Sequence, residues 1–371
     1  MNRDFVPAAI AREPWGIILP LIVLVLFGAS VLYSAAGGRL QPWALMHVLR
    51  FMMFLMMAIF ISRLSRNFIR MLAIPVYILL VLALIAVEAI GFVGGGSQRW
   101  LNLGFMTLQP SELMKPGIVL ILARYYDMLP GGLVGSFRSM IAPAVIIGIP
   151  VGLVLLQPDL GTSLAIMFGA VVVMFLAGLP LRWFIAVGVA MLAAIPAAFF
   201  FLLHPYQQNR VLTFLDPETD PLGAGYHITQ SKIAIGSGGV IGKGFGNGTQ
   251  SHLNYLPEPH TDFVFATMAE EWGMLGGFFV LVVFGLLLNW GLRVSRDAPG
   301  RFSRLLAAGL TATVFFYAAV NLMMVMGLAP VVGIPLPFMS HGGSSMLTIM
   351  ICVGLIMAVN RWGQGQQGHW R

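Results

Sequence analysis

Residues Ile17 to Leu32 read Ile-Ile-Leu-Pro-Leu-Ile-Val-Leu-Val-Leu-Phe-Gly-Ala-Ser-Val-Leu. No charge interrupts the run, and its apolar side chains do not alternate with polar ones as a membrane β-strand requires. Backbone N–H and C=O groups inside a bilayer must be satisfied within their own segment, so such a run predicts a spanning α-helix. The pattern recurs along the chain. Apolar segments able to cross a bilayer, which takes roughly 20 helical residues each, lie near 16–36, 44–62, 70–92, 111–128, 139–157, 160–179, 182–203, 263–292, 304–328 and 340–361. The expected fold is all-α: a polytopic membrane protein with ten transmembrane helices and a large extracytoplasmic loop, 204–262, between helices 7 and 8.

Composition supports this reading. Of 371 residues, 58% are hydrophobic and 9% charged, whereas soluble domains carry about 25% charged residues. Ser34-Ala35-Ala36 resembles a signal-peptide cleavage site, but the apolar core before it is long and nine spans follow, so the first span is expected to be retained. No soluble domain is expected at either end, and residues 1–371 read as one integral-membrane domain. The only cysteine, Cys352, leaves no intrachain disulfide. The net charge of +7 follows membrane topology rather than nucleic-acid binding. Of the 21 Lys and Arg, only Arg39, Arg50, Arg99, Lys115, Arg210, Lys232 and Lys243 fall on one side. The positive-inside rule places both termini in the cytoplasm and the 204–262 loop outside.

Charged groups in or beside apolar spans are costly and usually face a cavity or a partner. Glu112 and Lys115 share a helical face. They read either as a structural ion pair or as a cation presented to an anionic substrate. Asp159, in Gln157-Pro158-Asp159-Leu160-Gly161-Thr162, fits a helix N-cap and equally a pocket residue. Glu88 is expected to be a core group, protonated or internally bonded. Glu270 and Glu271 lie roughly 12–14 Å along a helix from Asp262. That is too far for a carboxylate dyad, though it would suit a deeper wall of the same cavity.

The run from Tyr206 to Trp272 is polar and Gly-rich, and it ends in Leu256-Pro257-Glu258-Pro259-His260-Thr261-Asp262-Phe263. Its glycines suit a mobile loop or a backbone cradle for phosphate. Gly242-Lys243 is followed by Gly244, so there is no Walker A motif. The loop histidines lack zinc-ligand spacing. His260 and Asp262 are two apart with no nucleophile elbow nearby, which argues against a serine hydrolase. Asp262 itself suits a helix N-cap. Yet one acid also suffices as a base where a diphosphate leaving group needs cations rather than a general acid. A lone acid, outer-face cations and a lipid-exposed bundle point to sugar transfer from a lipid-linked diphosphate donor.

Several motifs carry a family resemblance: Gln98-Arg99-Trp100-Leu101, Gln109-Pro110-Ser111-Glu112-Leu113-Met114-Lys115, Gln157 to Thr162, Asp216 to His227, Gln230 to Gly239, Gly248 to Asp262, and Asn321 through Pro330 and Pro337 to Ser344. On these the chain resembles the SEDS family (shape, elongation, division and sporulation) over nearly its whole length. It departs from the family pattern at His341, where Tyr is frequent, and at Phe245-Gly246-Asn247. The resemblance implies a peptidoglycan glycosyltransferase of the bacterial inner membrane, polymerising lipid II during cell elongation. It implies a class B penicillin-binding protein as partner, with a lipid II flippase as the rival reading. It also makes Asp262 the general base. Lys115, Arg210, Lys232 and Arg99 are then expected to hold diphosphates, with Glu112 orienting Lys115. Asp159, His260, Thr261 and Ser340 are expected to line the cavity. No cofactor is assigned, and assistance by a divalent cation such as Mg stays open.

Overall fold

The computed structural model describes residues 13–367, apart from 95–96, 103, 105–106, 202–207, 209–211, 214–215, 217–223, 254 and 257. The chain runs through α1 (Trp15–Ala35), α2 (Ala44–Ser62), α3 (Arg66–Ile90), three short strands, α4 (Pro110–Met128), α5 (Phe137–Leu156), α6 (Leu160–Leu176) and α7 (Leu181–Phe201). It continues through α8 (Ala224–Gly238), α9 (Thr249–His252), α10 (Val264–Asp297), α11 (Gly300–Val325) and α12 (Gly343–Gln367). Each of the ten expected segments coincides with a helix. Among the described residues seven helices are long and apolar enough to cross a membrane: α1, α2, α3, α5, α10, α11 and α12. Of the other three, α4 has its apolar run broken by Glu112 and Lys115, and α6 has 17 residues. The chain is a multi-pass helical membrane protein.

The helices divide into central and peripheral ones. In the most apolar window of α12, 78% of residues are buried, and in α11 67%, against 22% in α3 and in α5. Leu79 and Leu82 on α3, Phe137 and Ile141 on α5, and Leu192 and Phe200 on α7 are exposed. A water-soluble protein would not display so much apolar surface, but a lipid-facing one does. Close packing inside the bundle depends on small residues. A Cβ on Gly354 of α12 would lie 2.9 Å from the Ala58 Cα of α2, so the two backbones touch there.

Short connections make sequential helices antiparallel, which sorts the charges. At one end Glu13 pairs with Arg63 at 2.9 Å and Arg361 at 3.0 Å, Asp127 pairs with Arg70 at 3.0 Å, and Arg301 donates to the carbonyls of Leu129 and Ala177. The opposite end carries the strands, the loop after α11, α8, α9 and the start of α10. There β1 (Phe92–Gly94), β2 (Ser97–Asn102) and β3 (Thr107–Leu108) form an antiparallel sheet in the order β1-β2-β3, with Phe92 opposite Trp100 and Leu101 opposite Leu108. The strands are too short to carry a periodic signal in the sequence. Glu88 lies exposed in the last turn of α3 rather than in the core, because α3 ends at Ile90.

The Gly-rich part of the long loop is built against a break in α10. Gly273 adopts φ 61°, ψ −156° inside that helix, which frees the surrounding backbone groups. Lys243 N–H donates to Glu270 O and Gly244 N–H to Glu271 O, both at 3.0 Å; Met274 N–H reaches Gly239 O at 2.9 Å and Leu275 N–H Val240 O at 3.1 Å. Backbone must approach backbone for this to happen. A Cβ at Gly238 would sit 2.0 Å from Ala269 O, and one at Gly242 2.1 Å from Glu271 O. Gly238 and Gly242 therefore serve close approach. Glu270 and Glu271 do not form a deeper cavity wall. Glu270 Oε1 accepts from Lys243 Nζ at 2.7 Å and from Thr249 N at 2.9 Å, and Glu271 accepts from Ser34 Oγ. Both acids fasten the 243–252 segment.

Candidate active site

One face of α11 organises the site. Tyr317, Asn321 and Val325 follow at intervals of four, so they form a stripe with about 6 Å between successive members. Each reaches a different segment. Tyr317 meets α4, Asn321 meets the segment before α10, and the Val325 carbonyl accepts from Ser231 Oγ of α8 at 2.7 Å.

At the first level, Lys115 and Glu112 form a closed cluster with Tyr317. Lys115 Nζ donates to Glu112 Oε1 at 2.5 Å and lies 2.7 Å from the Tyr317 hydroxyl, which donates to Glu112 Oε2. The Lys115 side chain is 0% exposed and that of Glu112 9%. Both charges are thus neutralised within the bundle, one helical turn below the Asn321 level.

At the second level stands the His260-Thr261-Asp262 run. Helix α10 takes Phe263 as its N-cap, so Asp262 lies one residue outside the cap position and the simple N-cap reading does not describe it. Its carboxylate rests on Gly333, where a Cβ would lie 3.6 Å from Asp262 Oδ2. The three carbonyls of the run are held individually: His341 N–H donates to His260 O at 2.8 Å, Ser340 Oγ to Thr261 O at 2.6 Å and Asn321 Nδ2 to Asp262 O at 2.9 Å. Ser340 Oγ also accepts from Leu336 N–H at 2.8 Å. Its hydroxyl is therefore spent on backbone rather than pointed at a cavity. Thr261 Oγ1 donates to Glu258 Oε2 at 3.0 Å.

His260 stacks flat on Trp43, with ring centroids 4.0 Å apart and planes 5° apart. Its pKa is lowered by burial, an effect that Glu258 opposes. His341 is lowered to about 4, chiefly by burial, then by Arg50 and His260. Arg50 Nη1 lies 3.1 Å from His341 Nε2. A guanidinium can only donate, so Nε2 accepts and the ring proton sits on Nδ1. At neutral pH Arg50 therefore faces an uncharged imidazole.

The remaining expected residues lie around this centre. Asp159 is the N-cap of α6, its Oδ1 accepting from Thr162 N at 3.1 Å. Its other oxygen pairs with Arg99 Nη1 at 3.4 Å, while Arg99 also donates to Pro158 O at 2.7 Å and Gln157 O at 3.1 Å. Arg99 thus ties β2 to the start of α6. Lys232 is exposed on α8, with its stem laid over Gly327: a Cβ there would lie 2.2 Å from Lys232 Cε. Arg210 lies outside the described residues. Among the described residues no three His, Cys, Asp or Glu side chains gather into a metal-ligating group.

An apolar groove of about 370 Å³ opens between α6, α11 and the loop after α11. Val332 and Ile334, which flank Gly333, line it together with Leu164, Phe168 and Phe316. Sequence reasoning missed Tyr317, Arg50 and the structural use of Asn321. The intramembrane polarity of Tyr317 and Asn321, four apart on an apolar helix, was the available signal.

The FtsW/RodA/SpoVE family of cell cycle proteins matches residues 15–364. This chain belongs to the FtsW/RodA/SpoVE family. The match runs from the first turn of α1 into α12, so every element of the site lies within the family region. Among relatives, the peptidoglycan glycosyltransferase MrdB of Escherichia coli (strain K12) is 42% identical over 348 residues, 92% of each chain. Stage V sporulation protein E of Bacillus subtilis is 36% identical over 300 residues, 81% of this chain and 80% of that one. Among solved structures, a peptidoglycan synthase complex that coordinates polymerization and crosslinking contains a chain that superposes with a TM-score of 0.83 at 33% identity, covering 94% of this chain and 98% of that one. The rod shape determining protein RodA of Thermus thermophilus superposes with a TM-score of 0.71 at 30% identity, covering 94% and 97%.

Proposed function

We propose that this chain is a peptidoglycan glycosyltransferase that polymerises lipid II at the outer face of the bacterial cytoplasmic membrane, with Asp262 as general base. The observation that carries the reading is the acid held against the loop whose side chains line the groove. Asp262 lies outside its helix cap and against Gly333, whose neighbours line an all-apolar groove. A substrate with a polar reacting end and a long prenyl tail suits that pairing. The names of the FtsW/RodA/SpoVE relatives supply the reaction class.

In the proposed step Asp262 removes the proton from the 4-hydroxyl of the acceptor GlcNAc. The oxygen attacks the anomeric carbon of the donor MurNAc as the bond to the diphosphate breaks. The bonding pair leaves with undecaprenyl diphosphate, and the anomeric centre inverts. One base is enough, because the leaving group needs positive charge rather than a proton. Lys232, exposed at the same end, and Arg210 are the proposed diphosphate ligands, with Arg50, beside His341, adding charge. Lys115 and Arg99 already have partners, so we assign them internal roles: the first balances Glu112 and the second braces Asp159. The proposed orientation has both termini in the cytoplasm, and the proposed partner is a class B penicillin-binding protein.

The test uses the purified full chain, with and without that partner, supplied with lipid II in vesicles. Glycan polymer on a gel is expected. Translocation of lipid II across the vesicle without polymer would instead identify a flippase, a reading that needs binding groups reachable from both faces, whereas the matched polar motifs gather at one end.

A further inference from the structure

The carbonyls of His260, Thr261 and Asp262 immediately precede α10. Carbonyls shielded from water need partners. Water could serve, but it would leave the segment free to shift. The chain instead supplies three fixed donors from two other segments. The Asn321 side chain is fully buried and Ser340 is 4% exposed. Asn321 Nδ2 donates both to Asp262 O at 2.9 Å and to Ile334 O at 2.7 Å. It therefore locks the acid-bearing residue to the strip of loop that lines the apolar groove. Both contacts are carbonyl oxygens, which fixes the amide orientation: a flipped Asn would face them with Oδ1. Ser340 is likewise held at both ends, accepting from Leu336 N–H and donating to Thr261 O. The turn it closes is anchored from α2, because the Phe338 carbonyl lies 2.9 Å from His47 Nε2.

We propose that Asn321 and Ser340 are positioning residues for the transfer reaction: with the His341 peptide N–H they hold three successive carbonyls in a fixed row, so that the Asp262 carboxylate is presented to the acceptor hydroxyl in one orientation. The inference rests on the reading of Asp262 as general base. Neither side chain touches the reacting atoms; each acts through the backbone of the residue that does. General-base catalysis tolerates little displacement, and a shift of about 1 Å costs about 100-fold in rate.

The experiment measures kcat and KM for lipid II, per folded molecule, on the full chain with its transpeptidase partner. The variants are Ser340→Ala, Ser340→Thr, Asn321→Asp and Asp262→Asn. Asn321→Asp keeps shape and volume but replaces a donor with an acceptor facing two carbonyls. Ser340→Ala deletes a single oxygen, and it decides the matter if Asn321→Asp does not fold. The expected result is a loss in kcat of about 10- to 100-fold for Ser340→Ala and Asn321→Asp, with KM within about twofold of wild type. Ser340→Thr, which keeps the hydroxyl, regains most of the rate. A wild-type kcat in Ser340→Ala, a loss confined to KM, or a Ser340→Thr variant as slow as Ser340→Ala would overturn the positioning role. Asp262→Asn separates the two claims. If it keeps the wild-type rate, the general base itself is wrong. If it is inactive while Ser340→Ala is fully active, only the positioning role fails.

Discussion

Glu112→Gln is the sharpest probe of the buried cluster on α4 and α11. The substitution keeps the shape of the side chain and removes its charge. Lys115, with a side chain 0% exposed, then loses a counter-charge at 2.5 Å and keeps only the Tyr317 hydroxyl. Removing one member of a buried ion pair costs about 3–5 kcal/mol, because the other charge is left uncompensated. Replacing both members with neutral groups is far cheaper, so Glu112→Gln combined with Lys115→Met is expected to recover most of the loss. Thermal unfolding of the detergent-solubilised chain, run on the wild type, the two single variants and the double variant as a cycle, measures the coupling. Polymerisation rate per folded molecule is followed in parallel. The account predicts that Glu112→Gln lowers the unfolding midpoint by several degrees and that the double variant lies between it and wild type. An unchanged midpoint together with a rate loss of about 100-fold or more would refute the reasoning. It would mean that Lys115 meets the substrate diphosphate directly.

Two further outcomes are expected. Gly242→Ala places a methyl where Glu271 O lies 2.1 Å away, at φ 79°. Losing the two backbone bonds from Lys243 and Gly244, and straining φ, costs about 3 kcal/mol, so limited proteolysis is expected to cut within 239–250 at a rate the wild type does not show. His341, lowered from 6.5 to about 4, binds a proton more readily in the unfolded chain. Its contribution to stability is therefore complete above about pH 6.5 and declines as pH falls toward 4. His341→Gln is expected to flatten the pH dependence of the unfolding midpoint in that window, and an unaltered slope would show that burial of this imidazole is not its cause.

How much of this was legible beforehand depended on the range of the interaction. The helices were legible, since uninterrupted runs such as Ile17 to Leu32 admit little else in a bilayer. The Glu112–Lys115 pair was legible because a three-residue spacing fixes it locally. Its third member, Tyr317, was not, because it comes from 202 residues beyond Lys115. The Gly-rich loop misled for the same reason. Its glycines resemble mobile chain until the break at Gly273 reveals which backbone they must approach. Asp159 and Asp262 both stand near helix starts in the sequence, and only one is a cap. The carbonyls preceding Phe263 are held by Asn321 of α11 and by Ser340 and His341 of the loop after it, contacts that helix-start chemistry does not encode. Family motifs marked Ser340 as part of the site, but its hydroxyl serves the backbone.

The central claim is that the Asp262 carboxylate takes the acceptor proton. The most direct measurement is the rate of the first glycosyl transfer by Asp262→Asn in the intact complex with the proposed transpeptidase partner, with the proposed substrate lipid II saturating and complex formation verified by size exclusion. The account predicts a rate lower by about 100- to 10,000-fold, with complex formation unaffected. Glycan strands formed at the wild-type rate by Asp262→Asn would contradict it.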